Sequence, residues 1–557
     1  MTRRTGLAAE AAAALARHRR SKGAQPQARQ WFRTQRRAAA FLACWSAGLL
    51  ACWPADIGVT HVLSATNELT LTVSGASGPV SIMELAPYES ADSASNAPVV
   101  AKASVRGVAI LKVPRFEGAR DRLYSGFLAL QSRPGATAAP LGAPHFVEEF
   151  RDVSKDRTPF PQAASKKGLQ IQMTDDALAL GVKHAAVNFN LASLIQVKPT
   201  PQSIPWQMDG ETYYFNRGYL EGMPVKRFTD AGVVVYLIVL YYTGGNREAD
   251  VFMTHPTCSP QAPNRLTAFN TLTPDGLRHF KACMEFLADY FSGTDDSHGR
   301  VWGYILGNEV NTHWEWYNLG PATRDTVVND YLRSVRVAHT ALRKSSAQAR
   351  VYLSLTHFWT QIYQNNPQHA CGGKELIDEF NRLAKLGGDF DWNVAHHPYP
   401  ENLFECRTWL DKKPTRSPDT PKITFKNLDV LDAYFRRPEM SYRGRPRRII
   451  LSEQGFHCVT TPQGEQWQAA AYCYSYLKVA RLPGIDAFIY HRQVDNRGEG
   501  GLNLGLWTRQ AASVGTPDRK RPIYAVFQAA DTAGWEKAFE PSLSVIGLTN
   551  WNQVMTK

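Results

Sequence analysis

The sequence predicts an α/β fold: a (β/α)8 TIM barrel, preceded by a small β-sandwich-like domain and an N-terminal signal segment. Three observations predict it. From about residue 165 onward, short apolar runs alternate with amphipathic helical stretches eight times, which argues for parallel βα units. Residues 57–145 instead hold brief runs of alternating polar and apolar residues between turn signals. Residues 1–53 are basic and then apolar. The expected domains are therefore 1–53, 57–145 and 160–548.

The N-terminal segment accounts for most of the charge. The 557-residue chain carries a formal net charge of +13, but residues 1–52 hold ten basic residues against one acid, Glu10. That leaves about four positive charges elsewhere, with no basic motif interleaved with aromatics, so nucleic acid is not an expected partner. Ala38–Trp53 is an apolar run of about 16 residues, short for a membrane span and suited to a signal-peptide core. Leu49-Leu-Ala-Cys52 loosely resembles a lipobox. The chain is expected to be exported, with membrane contact only through an N-terminal anchor or lipid.

In the next region Glu68–Val73 alternates, Ser74–Pro79 turns the chain, and Val80–Leu85 alternates again. Val99–Val105, Val108–Val113 and Leu123–Gln131 read as further strands of a sandwich. No aromatic platform stands out, which favours a bracing role over sugar binding. Ser132–Pro144, rich in Pro, Gly and Ala, reads as a linker.

The barrel strands are expected at Lys167–Ile171, Val182–Asn190, Val233–Tyr241, Val301–Glu309, Val351–Phe358, Trp392–His397, Arg448–Glu453 and Ile485–His491. Helices fall between them. Thr174 is a candidate N-cap for the first, and Thr273-Pro274 opens a strong helix to about Phe291. Residues 191–222 form a long loop with hairpin content. Of the six cysteines outside the signal segment, Cys371 and Cys406 follow successive strands and make the expected disulfide of an exported protein.

Chemistry in such barrels sits at the C-terminal strand ends. Two of those ends carry glutamates, Glu309 and Glu453. A glycoside-cleaving site needs such a pair, one carboxyl holding a proton for the leaving oxygen and one ionised beside the anomeric carbon. Asn190, His357, His396, His397, Tyr399 and His491 end other strands, and the histidines divide between substrate contacts and hydrogen-bonded framework. Trp314 and Trp359 offer ring faces suited to pyranose C–H faces. No His-x-His or His-Glu-x-x-His pattern is present, so neither a metal nor another cofactor is expected.

Gly307-Asn308-Glu309, Ser452-Glu453-Gln454-Gly455 and His397-Pro398-Tyr399 resemble the motifs of the clan A retaining glycoside hydrolases. The resemblance implies Glu309 as acid/base, Glu453 as nucleophile of a covalent glycosyl-enzyme, Asn308 as a hydrogen-bond partner of the sugar 2-hydroxyl, and Tyr399 as the group orienting Glu453. Two positions depart from it. Asn190 stands where the clan often has arginine, and Tyr490-His491-Arg492 where it often has tryptophan. The expected function is hydrolysis of O-glycosidic bonds in an oligo- or polysaccharide. The alternatives are a catalytically silent carbohydrate-binding barrel, a metal-dependent hydrolase built on the strand-end histidines, and a transglycosylase using the same carboxylates.

Overall fold

The computed structural model describes residues 57–133 and 136–557. The expected signal segment, with Cys44 and Cys52, lies outside the described residues. The described residues form one compact unit. No helix among the described residues is long and apolar enough to cross a membrane.

The first part is one six-stranded sheet. Its long strand, Glu68–Leu85, pairs along its length with Val99–Pro114. The first half also pairs with Gly58–Ser64 and the second half with Gly126–Arg133. Leu69, Leu71, Val73, Val80 and Ile82 bury one face, as the alternating pattern requires. The expected linker is a correction: Ala136–His145 is an edge strand paired with Gly126–Arg133. Ladder bonds need backbone only, and an edge position tolerates Pro140. The sheet leans on the barrel's helices. The Tyr124 hydroxyl donates to Glu285 at 2.6 Å, and Lys344 reaches the same carboxylate at 2.6 Å.

Eight parallel strands close the barrel: β1 (Lys167–Gln170), β2 (His184–Asn190), β3 (Val234–Leu240), β4 (Val301–Leu306), β5 (Arg350–Thr356), β6 (Trp392–His397), β7 (Ile449–Leu451) and β8 (Ile485–Tyr490). β8 pairs with β1, and β1 with β2, so no strand edge is left open. Inward-facing Ala186, Tyr236, Ile238, Ile305, Tyr352, Ile450 and Ile489 fill the interior. Gly303 is fixed by this packing, since a Cβ there would lie 2.3 Å from the Tyr236 ring.

Of the two helix starts expected from caps, Thr273 and Thr174, the first is found as expected. Thr273 accepts from the Gly276 N–H and opens Pro274–Ser292, and Thr461 opens Pro462–Ala480 in the same way. Thr174, expected as a cap, is instead the first helical residue after Met173. The side chain of Gln493 holds the chain just ahead of this helix, accepting from the Gln172 and Met173 N–H groups at 3.1 and 2.8 Å. The loop after β2 folds into a small three-stranded sheet with a hairpin, Ser203–Met208 and Glu211–Asn216.

All six described cysteines are free thiols, which corrects the expected Cys371–Cys406 bridge. Cys371 is tied to the loop after Glu309, its N–H donating to the Asn311 carbonyl at 2.9 Å. Burial, with Glu405 and Cys458 nearby, pushes the Cys406 thiol up to about 12.

Candidate active site

β4 ends at Leu306, three residues earlier than expected, and the chain turns sharply. Gly307 has φ 73° and Glu309 has φ 43°, both in the left-handed region. For a glutamate this backbone is strained, and the surroundings hold it. The Glu309 N–H donates to Ser354 Oγ at 2.9 Å, and its carbonyl accepts from Thr312 Oγ1 at 2.9 Å. The turn thereby sends the carboxyl across the barrel mouth toward β6.

There His397 Nδ1 lies 2.9 Å from Glu309 Oε1 and its Nε2 lies 3.0 Å from Ser452 Oγ. Ser452 and Glu453 directly follow β7. Glu453 Oε1 accepts from the Tyr399 hydroxyl at 3.2 Å, and Oε2 from Gln170 Nε2 at 3.2 Å. Residues from β1, β4, β6 and β7 thus bring the two carboxyls to one mouth.

The two carboxyls are tuned in opposite directions. Burial pushes Glu309 up, against the pull of His397, and the nearby Glu453 charge adds to the rise. Burial also opposes ionisation of Glu453, but His491, His397 and the Gln170 amide outweigh it and hold this carboxyl below the usual carboxylate range. Burial disfavours a charged His397 ring, yet its bond to Glu309 and the charges of both carboxylates raise it above the ordinary histidine value. Burial and then Glu453 raise Tyr399 well above the usual phenol range, so its hydroxyl remains a donor.

The other expected contacts divide. Asn308 is half-buried at the turn, and its side-chain amide has no partner among the described residues. Trp314 is half-buried and stacks on His369 with centroids 4.0 Å apart. Asn190 serves the framework: its side chain caps the turn Leu191–Leu194, and its Oδ1 accepts from the Tyr242 N–H at 3.2 Å. His357 is buried, with Nε2 3.0 Å from Lys422 Nζ. Two expectations of direct sugar contact need correction. His396 is 0% exposed, with Nε2 3.2 Å from the Ile423 carbonyl, and Trp359 is 0% exposed, donating to the Pro418 carbonyl at 2.8 Å. His396 faces outward because side chains alternate along β6, and Trp359, in the loop beyond β5, packs against Tyr434 with centroids 5.0 Å apart. His491 touches Gln170 rather than open space, at 2.6 Å.

Sequence reasoning passed over Gln170 and Ser354, and reached Tyr242 only as a residue at the end of β3. Inward alternation along β1 and β5 points to the first two, since Gln170 and Ser354 stand in step with the inward residues Gly168 and Tyr352. Tyr242 is 39% exposed, and burial with the Glu453 charge raises its phenol. Among the described residues, no three His, Cys, Asp or Glu side chains converge as a metal-binding group.

Several solved structures are similar at low identity. A family 39 glycoside hydrolase from the gut symbiont Bacteroides cellulosilyticus has 13% identity and a TM-score of 0.44, covering 83% of this chain and 78% of that one. A hyperthermophilic beta-glucosidase from Pyrococcus furiosus has 14% identity and a TM-score of 0.42, covering 67% and 86%. A monomeric beta-xylosidase from Caulobacter crescentus has 13% identity and a TM-score of 0.41, covering 67% and 69%. No curated protein matches the sequence. Residues 159–554, which take in the whole barrel, match the family of unknown function DUF5722, and the chain belongs to that family.

Proposed function

We propose that this chain is an exported retaining glycoside hydrolase that cleaves O-glycosidic bonds of an oligo- or polysaccharide. The observation that carries the reading is the opposite tuning of two carboxyls at one barrel mouth, Glu309 raised and Glu453 lowered. Glu309 is the group that holds a proton at working pH and gives it to the leaving oxygen. Glu453 is the group that stays ionised and attacks the anomeric carbon, forming a glycosyl ester as the leaving group departs. The Glu309 carboxylate then takes a proton from water, which attacks the ester and frees Glu453.

The neighbours suit these steps. Tyr399 and Gln170 donate to Glu453 and fix its direction. The unpartnered Asn308 amide is free to meet a sugar hydroxyl, and the Trp314 ring offers a flat face beside the acid. The basic head followed by Ala38–Trp53 is the basis for export.

The test is a screen of nitrophenyl glycosides, followed by incubation with the fluorosugar analogue of whichever glycoside is turned over. The expected result is a covalent adduct on the peptide containing Glu453, seen by mass spectrometry. Turnover with the adduct on another residue would reassign the nucleophile. Glycan binding without any turnover would mark a silent barrel.

A further inference from the structure

The lowering of Glu453 has a structural source that runs away from the sugar, into the loop after β8. Gln170 Nε2 lies 3.2 Å from Glu453 Oε2 and 3.2 Å from the Ser452 carbonyl oxygen. A backbone carbonyl only accepts, so the amide has one workable direction, N–H toward Ser452 and Glu453. Its oxygen then faces His491 Nδ1 at 2.6 Å, and that nitrogen must carry hydrogen. The other ring nitrogen, Nε2, faces the Glu499 carboxylate, with Oε1 3.5 Å away. The ring therefore spans the Gln170 amide on one side and the Glu499 carboxylate on the other. Glu499 suits this role. Burial opposes its ionisation, but His491 and Arg492 overcome it and hold it down to about 2. Arg492 pairs with Glu499 and also donates from Nε to the Val494 carbonyl at 2.8 Å, anchoring the loop.

We propose that Gln170, His491 and Glu499 form a positioning relay for the Glu453 carboxylate. Glu499 anchors the His491 ring, His491 fixes the direction of the Gln170 amide, and Gln170 presents its N–H to the nucleophile. The relay reassigns His491 from substrate contact to orientation of the nucleophile. It gives a function to Glu499, 46 residues beyond Glu453. It rests on the reading of Glu453 as the nucleophile.

The groups facing Glu453 are Gln170, Tyr399, His397 and His491, with Tyr242, Glu309 and Glu499 close enough to act through charge. The experiment follows Gln170→Leu and Glu499→Gln on the nitrophenyl glycoside that the wild type turns over. Because a hydrogen bond to a charged group is lost, kcat should fall about 10- to 100-fold with KM little changed. The acid limb of the kcat/KM profile should move toward higher pH in Gln170→Leu, since Glu453 loses an N–H that keeps it ionised. The Glu499 charge itself raises Glu453, so Glu499→Gln is read by kcat against KM. Glu499→Gln is nearly isosteric and keeps the reading testable where Gln170→Leu does not fold. A rise in KM alone would make these residues substrate contacts and overturn the relay, as would an unmoved acid limb in Gln170→Leu. A wild type that turns over none of the glycosides would instead overturn the glycosidase reading, and the relay with it.

Discussion

The two ends of the barrel both hold charged side chains, and they handle them in opposite ways. At the base, where the strands start, Asp486 sits between two arginines. Arg448 Nε reaches both of its oxygens at 3.1 Å, and Arg350 Nη1 reaches one at 3.1 Å. The Arg350 guanidinium lies 3.7 Å over the Phe160 ring, which packs on Trp302 and closes this end. His184 nearby lies 3.1 Å from the Tyr236 hydroxyl and 3.0 Å from the Ser165 carbonyl. At the mouth the two acids are placed unequally. Glu309 touches one histidine while Glu453 gathers donors and neighbouring histidines, so the two carboxyls are shifted in opposite directions. Charges whose partners satisfy them stabilise a fold. Charges left unequal by their surroundings are poised to move a proton.

That contrast can be broken most forcefully at Glu453. Glu453→Gln is expected to cut kcat by about 10,000-fold or more, with an unchanged thermal unfolding curve. A near-normal rate would place the chemistry elsewhere. Glu309→Gln should cost about 100- to 10,000-fold on substrates with poor leaving groups, and far less when the leaving group is a dinitrophenolate that needs no proton. The pH profile sharpens the same point. Glu453 must be ionised and its carboxyl is lowered, so activity should fade only as pH drops below the ordinary carboxylate range. Glu309 must be protonated and is raised, so activity should fade as pH climbs through its elevated value. Glu309→Gln should remove that alkaline limb.

Changes at the base should move stability and leave catalysis alone. Burial pushes His184 down to about 4 in the fold, against 6.5 for the free side chain. The unfolded chain binds this proton first, so stability is full above about pH 6.5 and falls as pH drops toward 4, by up to about 3 kcal/mol. Urea unfolding of His184→Gln should show a flatter acid slope than the wild type. Asp486→Asn should cost about 2 kcal/mol in the same measurement, because two guanidiniums lose their shared anion. Its kcat/KM, per folded molecule, should match the wild type. A selective loss of activity in either base variant would erase the distinction between the two ends.

Much of the fold was legible because barrel strands buried on both faces leave continuous apolar runs. Val234–Leu240 and Val301–Leu306 are such runs, and both strands lie within the expected spans. Strand ends were less legible. β4 was expected to reach Glu309, and the left-handed turn at Gly307 and Glu309 stops it earlier. Ala136–His145 was misread because small residues and proline suggest a linker, whereas an edge strand asks little of its side chains. Trp359 and His396 were placed at the mouth by their position in the chain. A shift of one residue along a strand turns a side chain to the opposite face, and sequence position near a strand end does not resolve it.

By itself the sequence determined the eight strands, their order, and the arrival of Glu309 and Glu453 at the same end, because periodicity and strand direction are local properties. Only the tertiary structure decided what those carboxyls experience. His397 reaches Glu309 across 88 residues, and Gln170 reaches Glu453 across 283. A carboxyl's protonation depends on burial and on charges a few ångströms away, and those neighbours come from strands far apart in the chain.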